Sequence, residues 1–255
     1  MASRRPKKYK LGLALGGGGA RGYAHLGAVQ ALYEKGIFPD CISGVSAGAI
    51  VGSYIAAKHA PEDAFEKMKS YKFFDLASLS IPRQGLFSLK NVQNTIERGI
   101  GIKRLEDLPT PLVIAASDML DGKVKYFKKG DLSKLVQASS SIPVLFSPVK
   151  IGNKLYSDGG VFDNLPIKPL SKTCEKIIAI NISPVSKVKE LKNIAHVATR
   201  MFQLSISSRD AGKRTKCDVF IEPKELSAFE VFDTKYSEKI YKIGYEYVKE
   251  MEITL

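Results

Sequence analysis

A serine between two glycines, in Gly44-Val45-Ser46-Ala47-Gly48, has the residue types and the spacing of a nucleophile. Short apolar residues precede it as a strand would, and small apolar residues follow it as a buried helix would. The spacing G-x-S-x-G is typical of a sharp strand-to-helix turn, where glycines remove side chains that would clash. The serine hydroxyl would then lie at the positive end of the helix, where a developing anion is stabilised.

A second candidate is a glycine-rich loop close to the start of the chain. Gly17, Gly19 and Gly22 match G-x-G-x-x-G, which is the spacing of dinucleotide-binding loops. An acid should then end the second strand and bind the ribose, but the serine turn occupies that place, which disfavours a nucleotide site. The other use is an oxyanion hole, with N–H donors from Gly17, Gly18 and Gly19. Arg21 would hold this loop in shape or assist with charge.

The candidate nucleophile needs a base, because a serine hydroxyl alone is a poor nucleophile. The chain has three histidines, His25, His59 and His196, and each falls in a predicted helix or at a helix end. None of them lies in the strand-to-loop position where an α/β-hydrolase would place its catalytic histidine. Asp158 follows a predicted hairpin strand, and Gly159 and Gly160 after it allow close approach. A carboxylate can act as the base where a partly apolar site raises its pKa toward working pH. Taken alone, Asp-Gly-Gly favours a plain turn over a catalytic acid.

The elements that must position these residues alternate between strand and helix. The sequence predicts strands over 11–15 and 40–43, a helix through 23–33, a helix after the serine turn and a helix from Pro61. Such alternation predicts a parallel sheet with helices on its faces. Further elements are predicted as strands over 112–117, 123–127, 149–151, 154–156, 176–182 and 219–221, and as helices over 132–138, 190–213 and from 236.

No internal repeat or low-complexity linker divides the chain. We therefore predict a basic N-terminal extension over 1–10 and a single domain over 11–255. The periodicity weakens over 73–110, which we interpret either as a cap inserted into the sheet topology or as a plain pair of surface helices.

The chain is basic, with 39 Lys and Arg against 26 Asp and Glu, a net charge of +13. Such an excess is typical of a solvated surface or of an anionic partner, for example nucleic acid or lipid headgroups. No helix-turn-helix, finger or aromatic-basic sheet pattern is present, so we predict no nucleic-acid partner. The odd number of cysteines and their lack of metal-ligand spacing favour a reducing compartment: Cys41, Cys174 and Cys217.

The first residues are rich in lysine and arginine, but the apolar run after them is too short for a signal peptide. No later run is long enough to span a bilayer. We therefore expect a soluble cytoplasmic protein. Its basic clusters would allow reversible contact with an anionic inner membrane surface, or would serve solubility alone. The clusters are 4–10, Lys123 to Lys129, and Lys187 with Lys189 and Lys192.

Four segments together resemble the patatin-like phospholipase family. They are the loop over 17–22, the serine turn over 44–48, the Ala-Ser-x-x-x-Pro block over 138–143 and Asp158-Gly159-Gly160. The resemblance covers about residues 12–165. It implies a three-layer α/β/α sandwich with a mainly parallel central sheet. The small helical cap that we expect with it comes from the weak periodicity over 73–110, over which the resemblance does not clearly extend. The resemblance also implies a Ser46–Asp158 dyad in place of a triad, and hydrolysis of lipid acyl esters without metal or cofactor.

We therefore expect a serine acyl-ester hydrolase that acts on lipids, of phospholipase or lysophospholipase type. Ser46 would attack the ester carbonyl, and Asp158 would take its proton and later activate water. The same groups with another acceptor would make a lipid acyltransferase. A catalytically idle lipid-binding protein is the third alternative, although a binder has no need of serine and acid together.

Overall fold

The computed structural model describes residues 7–70, 89–188, 190–191, 194–210 and 212–255, without the side chains of 90, 91, 195 and 208–210. Eight strands form one sheet in the order β5-β6-β3-β2-β1-β7-β8, and β4 pairs with β3. The strands are β1 Tyr9–Leu15, β2 Cys41–Gly44, β3 Leu112–Asp118, β4 Lys123–Phe127, β5 Val149–Ile151, β6 Lys154–Asp158, β7 Cys174–Ile180 and β8 Val219–Ile221.

Helices separate and follow these strands. They are α1 Tyr23–Glu34, α2 Ala47–Ala56, α3 Pro61–Ser70, α4 Lys90–Ile100, α5 Leu132–Ser139, α6 Lys168–Ser171, α7 Ile194–Asp210 and α8 Ser237–Glu250. A short 3₁₀ turn, Gly19–Gly22, leads directly into α1, and another, Gly159–Val161, follows β6.

Five neighbouring strands of the sheet are parallel, in the order β3, β2, β1, β7 and β8. On the β3 side, β4, β5 and β6 add antiparallel pairs. Leu15 at the end of β1 is in register with Gly44 of β2 and with Ile180 of β7. The carboxyl ends of the three central strands therefore meet at one edge of the sheet, which is where open α/β sheets place their ligands.

Helices cover both faces of the sheet. Leu13 and Leu15 of β1 belong to a core shared with α1, α2 and α8, whereas Ala14 between them packs with Leu165 and Leu170 on the other face. β1 is apolar on both faces because it is buried on both. The predicted α/β class, with a mainly parallel central sheet flanked by helices, is confirmed.

Several predicted boundaries shift. β1 begins at Tyr9, so the sheet includes the last residues of the predicted 1–10 extension, whose residues 1–6 lie outside the described chain. β7 begins and ends two residues earlier than predicted, and α7 is shorter at both ends. Predictions for 73–88 and for Lys189 and Lys192 also lie outside the described residues.

The helix expected within the 73–110 segment is present as α4. Its Val92 and Ile96 are buried in the main core, and Gly99 lies against the Tyr54 hydroxyl of α2. α4 thus packs on the α/β body. The role of the whole segment as a cap stays a prediction, as does the single-domain organisation. In the described parts of the chain, no helix combines the length and the apolar character that crossing a membrane requires.

α8 packs on α1 through two glycines that the sequence analysis did not single out. A Cβ at Gly244 of α8 would overlap the Ala24 carbonyl, and a Cβ at Gly27 of α1 would overlap the Tyr241 carbonyl. The two helix backbones are therefore in direct contact. This contact anchors α1 and, at its N-terminus, the glycine loop.

We expect Gly244→Ala to lower the free energy of unfolding by about 1–3 kcal/mol, because the added methyl group must push the two helices apart. Denaturant titration measures the change. Gly212→Ala is the matched control, since no atom of the described residues lies within 4 Å of a Cβ at that position. Equal stability of the two variants would contradict the close packing of α1 and α8.

Candidate active site

The predicted serine turn is present between β2 and α2. Ser46 has φ 52° and ψ −122°, a conformation that L-residues rarely adopt. A Cβ at Gly44 would overlap the Gly48 carbonyl, and a Cβ at Gly48 would overlap the Leu15 carbonyl. Both glycines are therefore needed for the turn to sit on the strand ends. The Ser46 side chain is left at the sheet edge, where it is 7% exposed.

The Ala-Ser-x-x-x-Pro block holds this turn from the side of α5. The Ser139 hydroxyl accepts a hydrogen bond from the Ser46 N–H at 2.9 Å and donates one to the Ala115 carbonyl at 2.6 Å. One buried hydroxyl thus links the serine turn to β3. The sequence indicated this block by resemblance alone, and the structure supplies its physical role.

Asp158 lies at the end of β6 and is fixed by three hydrogen bonds. Its Oδ1 accepts from the Gly160 N–H at 2.8 Å, its N–H donates to the Ser141 carbonyl at 2.8 Å, and its carbonyl accepts from the Ser117 hydroxyl at 2.8 Å. The other carboxyl oxygen, Oδ2, is buried and makes no hydrogen bond of normal geometry within the described residues. The Ser46 hydroxyl neighbours the Asp158 side chain.

Burial raises the pKa of the Asp158 carboxyl to about 7, while the neighbouring Ser46 hydroxyl and the Gly160 N–H act to lower it. Desolvation dominates because the charged form loses its hydration inside the protein. A carboxylate with this pKa is half ionised near neutral pH. It can accept a proton and return it at a similar pH, as a general base must.

The glycine loop has both paired and unpaired N–H groups. The Gly17 N–H donates to the Asn164 carbonyl at 3.1 Å, and the Ala20 N–H donates to the Val231 carbonyl at 2.7 Å. The N–H groups of Gly18 and Gly19 donate to no acceptor in the described part of the chain. The N–H groups of Gly18 and Gly19 are therefore the free donors of the loop. The N–H of Gly17, which was predicted as a third donor to an oxyanion, is already paired.

Arg21 is buried and its guanidinium is directed at main-chain carbonyls. Nε and Nη2 donate to the Phe229 carbonyl at 2.9 and 2.6 Å, and Nη1 donates to the Pro184 carbonyl at 3.2 Å. Burial, aided by nearby Arg200, lowers its pKa to about 10, so it stays charged. Of the two roles predicted for Arg21, these contacts match the one that holds the loop in shape.

His25 contacts the glycine loop in a way that the sequence did not predict. Its Nε2 donates to the Gly16 carbonyl at 2.8 Å, and burial lowers the pKa of its imidazole to about 4. It is therefore neutral at pH 7 and faces the loop as a donor. His59 lies edge-on against Tyr54. Within the described residues, no three His, Cys, Asp or Glu side chains cluster as metal ligands would.

Asn164 is a second residue that the sequence analysis missed. It is 3% exposed, and its Oδ1 lies where a Cβ at Gly17 or at Gly160 would be. A Cβ at Gly17 would also lie 3.2 Å from the Cβ of Ser46. The side-chain amide of Asn164 therefore fills the space between the glycine loop and the Asp158 turn. The main-chain carbonyl of Asn164 holds the loop by accepting from the Gly17 N–H. Together with the Ser139 hydrogen bonds, these contacts bring the four predicted segments together.

Comparisons with known proteins agree with this geometry. The patatin-like phospholipase family matches residues 13–171. An uncharacterized NTE family protein of Mycobacterium tuberculosis is 36% identical over 64% of this chain and 46% of its own length. Lysophospholipase NTE1 of Saccharomyces cerevisiae is 25% identical over 93% of this chain and 16% of its own length. The chain therefore spans less than half of these relatives.

Among solved structures, VipD from Legionella pneumophila has the same fold. Its TM-score is 0.56 at 15% identity, with 97% of this chain and 71% of that chain covered. The family match extends from β1 to α6 and includes the glycine loop, the serine turn, the block of α5 and the Asp158 turn. The chain belongs to the patatin-like phospholipase family, whose members are lipid hydrolases.

Proposed function

We propose that this protein hydrolyses lipid acyl esters with Ser46 as nucleophile and Asp158 as general base. The observation that carries the proposal is the pairing of a strained, nearly buried serine with a buried carboxyl whose pKa is about 7. Strain of this kind persists where the surrounding structure holds it in place, and it clusters at functional sites. A plain turn needs neither the strain nor the raised pKa.

The first half of the reaction forms an acyl-enzyme. Asp158 takes the proton as the Ser46 oxygen attacks the ester carbonyl, and the N–H groups of Gly18 and Gly19 stabilise the tetrahedral oxyanion. The intermediate collapses, and the alcohol leaves with the proton from Asp158. Water, activated by the same carboxylate, then releases the fatty acid and restores the serine.

The substrate class follows from the family and from a named relative. The family consists of lipid hydrolases, and the yeast relative is named a lysophospholipase. We therefore propose a phospholipid or lysophospholipid ester as the substrate. A panel of phospholipids, lysophospholipids and neutral lipid esters, assayed for released fatty acid, tests this choice.

Ser46→Ala should abolish ester hydrolysis, with a loss on the order of ten-thousand-fold, because no other group replaces the nucleophile. Turnover of a nitrophenyl ester and covalent labelling by a fluorophosphonate measure this loss. Ser53→Ala on α2, the helix that follows Ser46, is the control, since among the described residues its hydroxyl bonds only the Ala49 carbonyl. A folded Ser46→Ala protein that keeps most of its turnover would disprove the assignment.

Asp158→Asn should be nearly as damaging, because the amide has the same shape but cannot accept the proton. In the unmodified protein, kcat/KM should rise with pH through a midpoint near 7, the pKa of the Asp158 carboxyl. A pH–rate profile from 5 to 9 measures this midpoint. A flat profile would exclude Asp158 as the base.

The same pKa has a consequence for stability. Because the folded pKa lies above the unfolded value of about 3.9, the folded state binds more protons between these two pH values, and its stability falls as pH rises through this range. Asp158→Asn should remove this part of the pH dependence. Chemical denaturation at pH 5 and pH 8 gives the comparison, and an unchanged pH dependence in the variant would contradict the raised pKa.

Asn164→Ala should lower kcat about tenfold to a hundredfold, because loss of the amide lets the glycine loop and the Asp158 turn shift against each other. KM for a nitrophenyl ester should change little, since the side chain positions the reacting groups and does not hold the substrate. Melting temperature is measured alongside. A raised KM with unchanged kcat would assign Asn164 to substrate binding instead.

A further inference from the structure

α7 carries a stripe of exposed apolar side chains along one side. Ile194, Val197, Met201 and Leu204 are 76%, 41%, 63% and 42% exposed. Their spacing of three, four and three residues places them on a single face of the helix. The sequence predicted this helix but did not indicate that its apolar side would face outward.

The other side of α7 faces the active site. Ile206 is buried in the protein, and Phe202 packs against the main core. The Phe202 ring also lies 3.1 Å from where a Cβ at Gly160 would be, next to Asp158. One helix therefore presents an apolar stripe outward while it touches the catalytic turn inward.

Two further contacts hold α7 against the rest of the protein, and one of them lies beside that turn. After the helix, the Lys213 ammonium pairs with Asp163 at 2.6 Å, and Asp163 also accepts from the Tyr126 hydroxyl at 2.5 Å. Within the helix, Arg200 donates to the Ser186 carbonyl at 2.8 Å. A surface that docks through the stripe would therefore lie at a fixed position relative to the dyad.

The charge around α7 identifies what the stripe binds. Residues 184–217 contain eight Lys or Arg against two acidic residues, and two of the basic ones, Arg200 and Lys213, already have partners within the protein. Two copies of this chain that paired through their stripes would bring like charges together, whereas an anionic lipid surface complements them. We propose that α7 docks onto an anionic lipid surface, with its apolar stripe inserted at the headgroup boundary and its basic neighbours on the headgroups.

In helices that lie in a membrane interface, apolar insertion and electrostatic attraction both contribute to the binding strength. Docking of α7 would bring the Ser46 site next to the layer that contains acyl esters. The docking explains delivery of substrate only if the proposed function holds. It can be measured without that function, however, because no step of it uses Ser46 or Asp158.

The test uses the full chain with Ser46→Ala, so that the vesicle lipid is not consumed. Co-sedimentation is measured with phosphatidylcholine vesicles, with and without phosphatidylglycerol. We expect binding to the anionic vesicles and release at high salt. Adding Met201→Ser and Leu204→Ser should weaken the binding about tenfold or more, through the lost apolar contact.

The matched control removes exposed apolar side chains from the opposite edge of the sheet. Phe38 and Leu255 are 59% and 44% exposed, and Phe38 precedes the amino end of β2. Phe38→Ser with Leu255→Ser should bind like the parent. Equal binding by the stripe variant and this control overturns the proposal. So does a parent dimer that the stripe variant abolishes, since a second copy would then cover α7.

A second measurement keeps the proposal testable if the double variant folds poorly. The chain contains no tryptophan, so Leu204→Trp introduces a single fluorescent reporter. Its emission should shift to the blue with anionic vesicles, and brominated acyl chains should quench it. Phe38→Trp should show neither effect. A protein that sediments with vesicles while Leu204→Trp emission stays unchanged would place the docking surface elsewhere.

Discussion

The forced backbone of Ser46 is the constraint on which the rest of the site depends. A conformation of this kind costs a non-glycine residue about 1–3 kcal/mol, so packing must impose it. The carbonyl of Leu15 lies so close to Gly48 that no side chain fits there, and the Ser139 hydroxyl holds the Ser46 N–H. The turn therefore exists because β1, β2 and α5 are already in place around it.

The same close packing sets the pKa of the neighbouring Asp158 carboxyl. Asp158 is 1% exposed, and its burial raises its pKa into the range where a base is useful. The glycine loop is held just as firmly, by Arg21 on Phe229 and by the Gly17 N–H on Asn164. We regard the loss of hydration at Asp158 and the strain at Ser46 as two results of one dense packing arrangement.

Local motifs in the sequence predicted the serine turn, the glycine loop and most strands, because each depends on neighbours in the chain. Asp158 became a strong candidate only through the family resemblance, since Asp-Gly-Gly alone is a turn. Asn164 and His25 were missed because their roles appear only when distant segments fold together. Arg21 shows the same limit, since its partner at Phe229 is 208 residues away. The exposed side of α7 was missed because periodicity marks an apolar stripe without saying which way it faces.

Burial of the proposed dyad, Ser46 and Asp158, also limits how a substrate would reach it. The dense packing that raises the pKa of Asp158 leaves Ser46 only 7% exposed, so a wide, water-filled cleft would work against the base. A lipid ester held in a membrane provides another route, because its acyl chains bring apolar surface, and not water, to the site. We propose that α7 meets both requirements, the exclusion of water from the base and a route for the ester to reach it. Its inner side keeps Phe202 against the Asp158 turn, while its outer side binds the layer from which the ester comes.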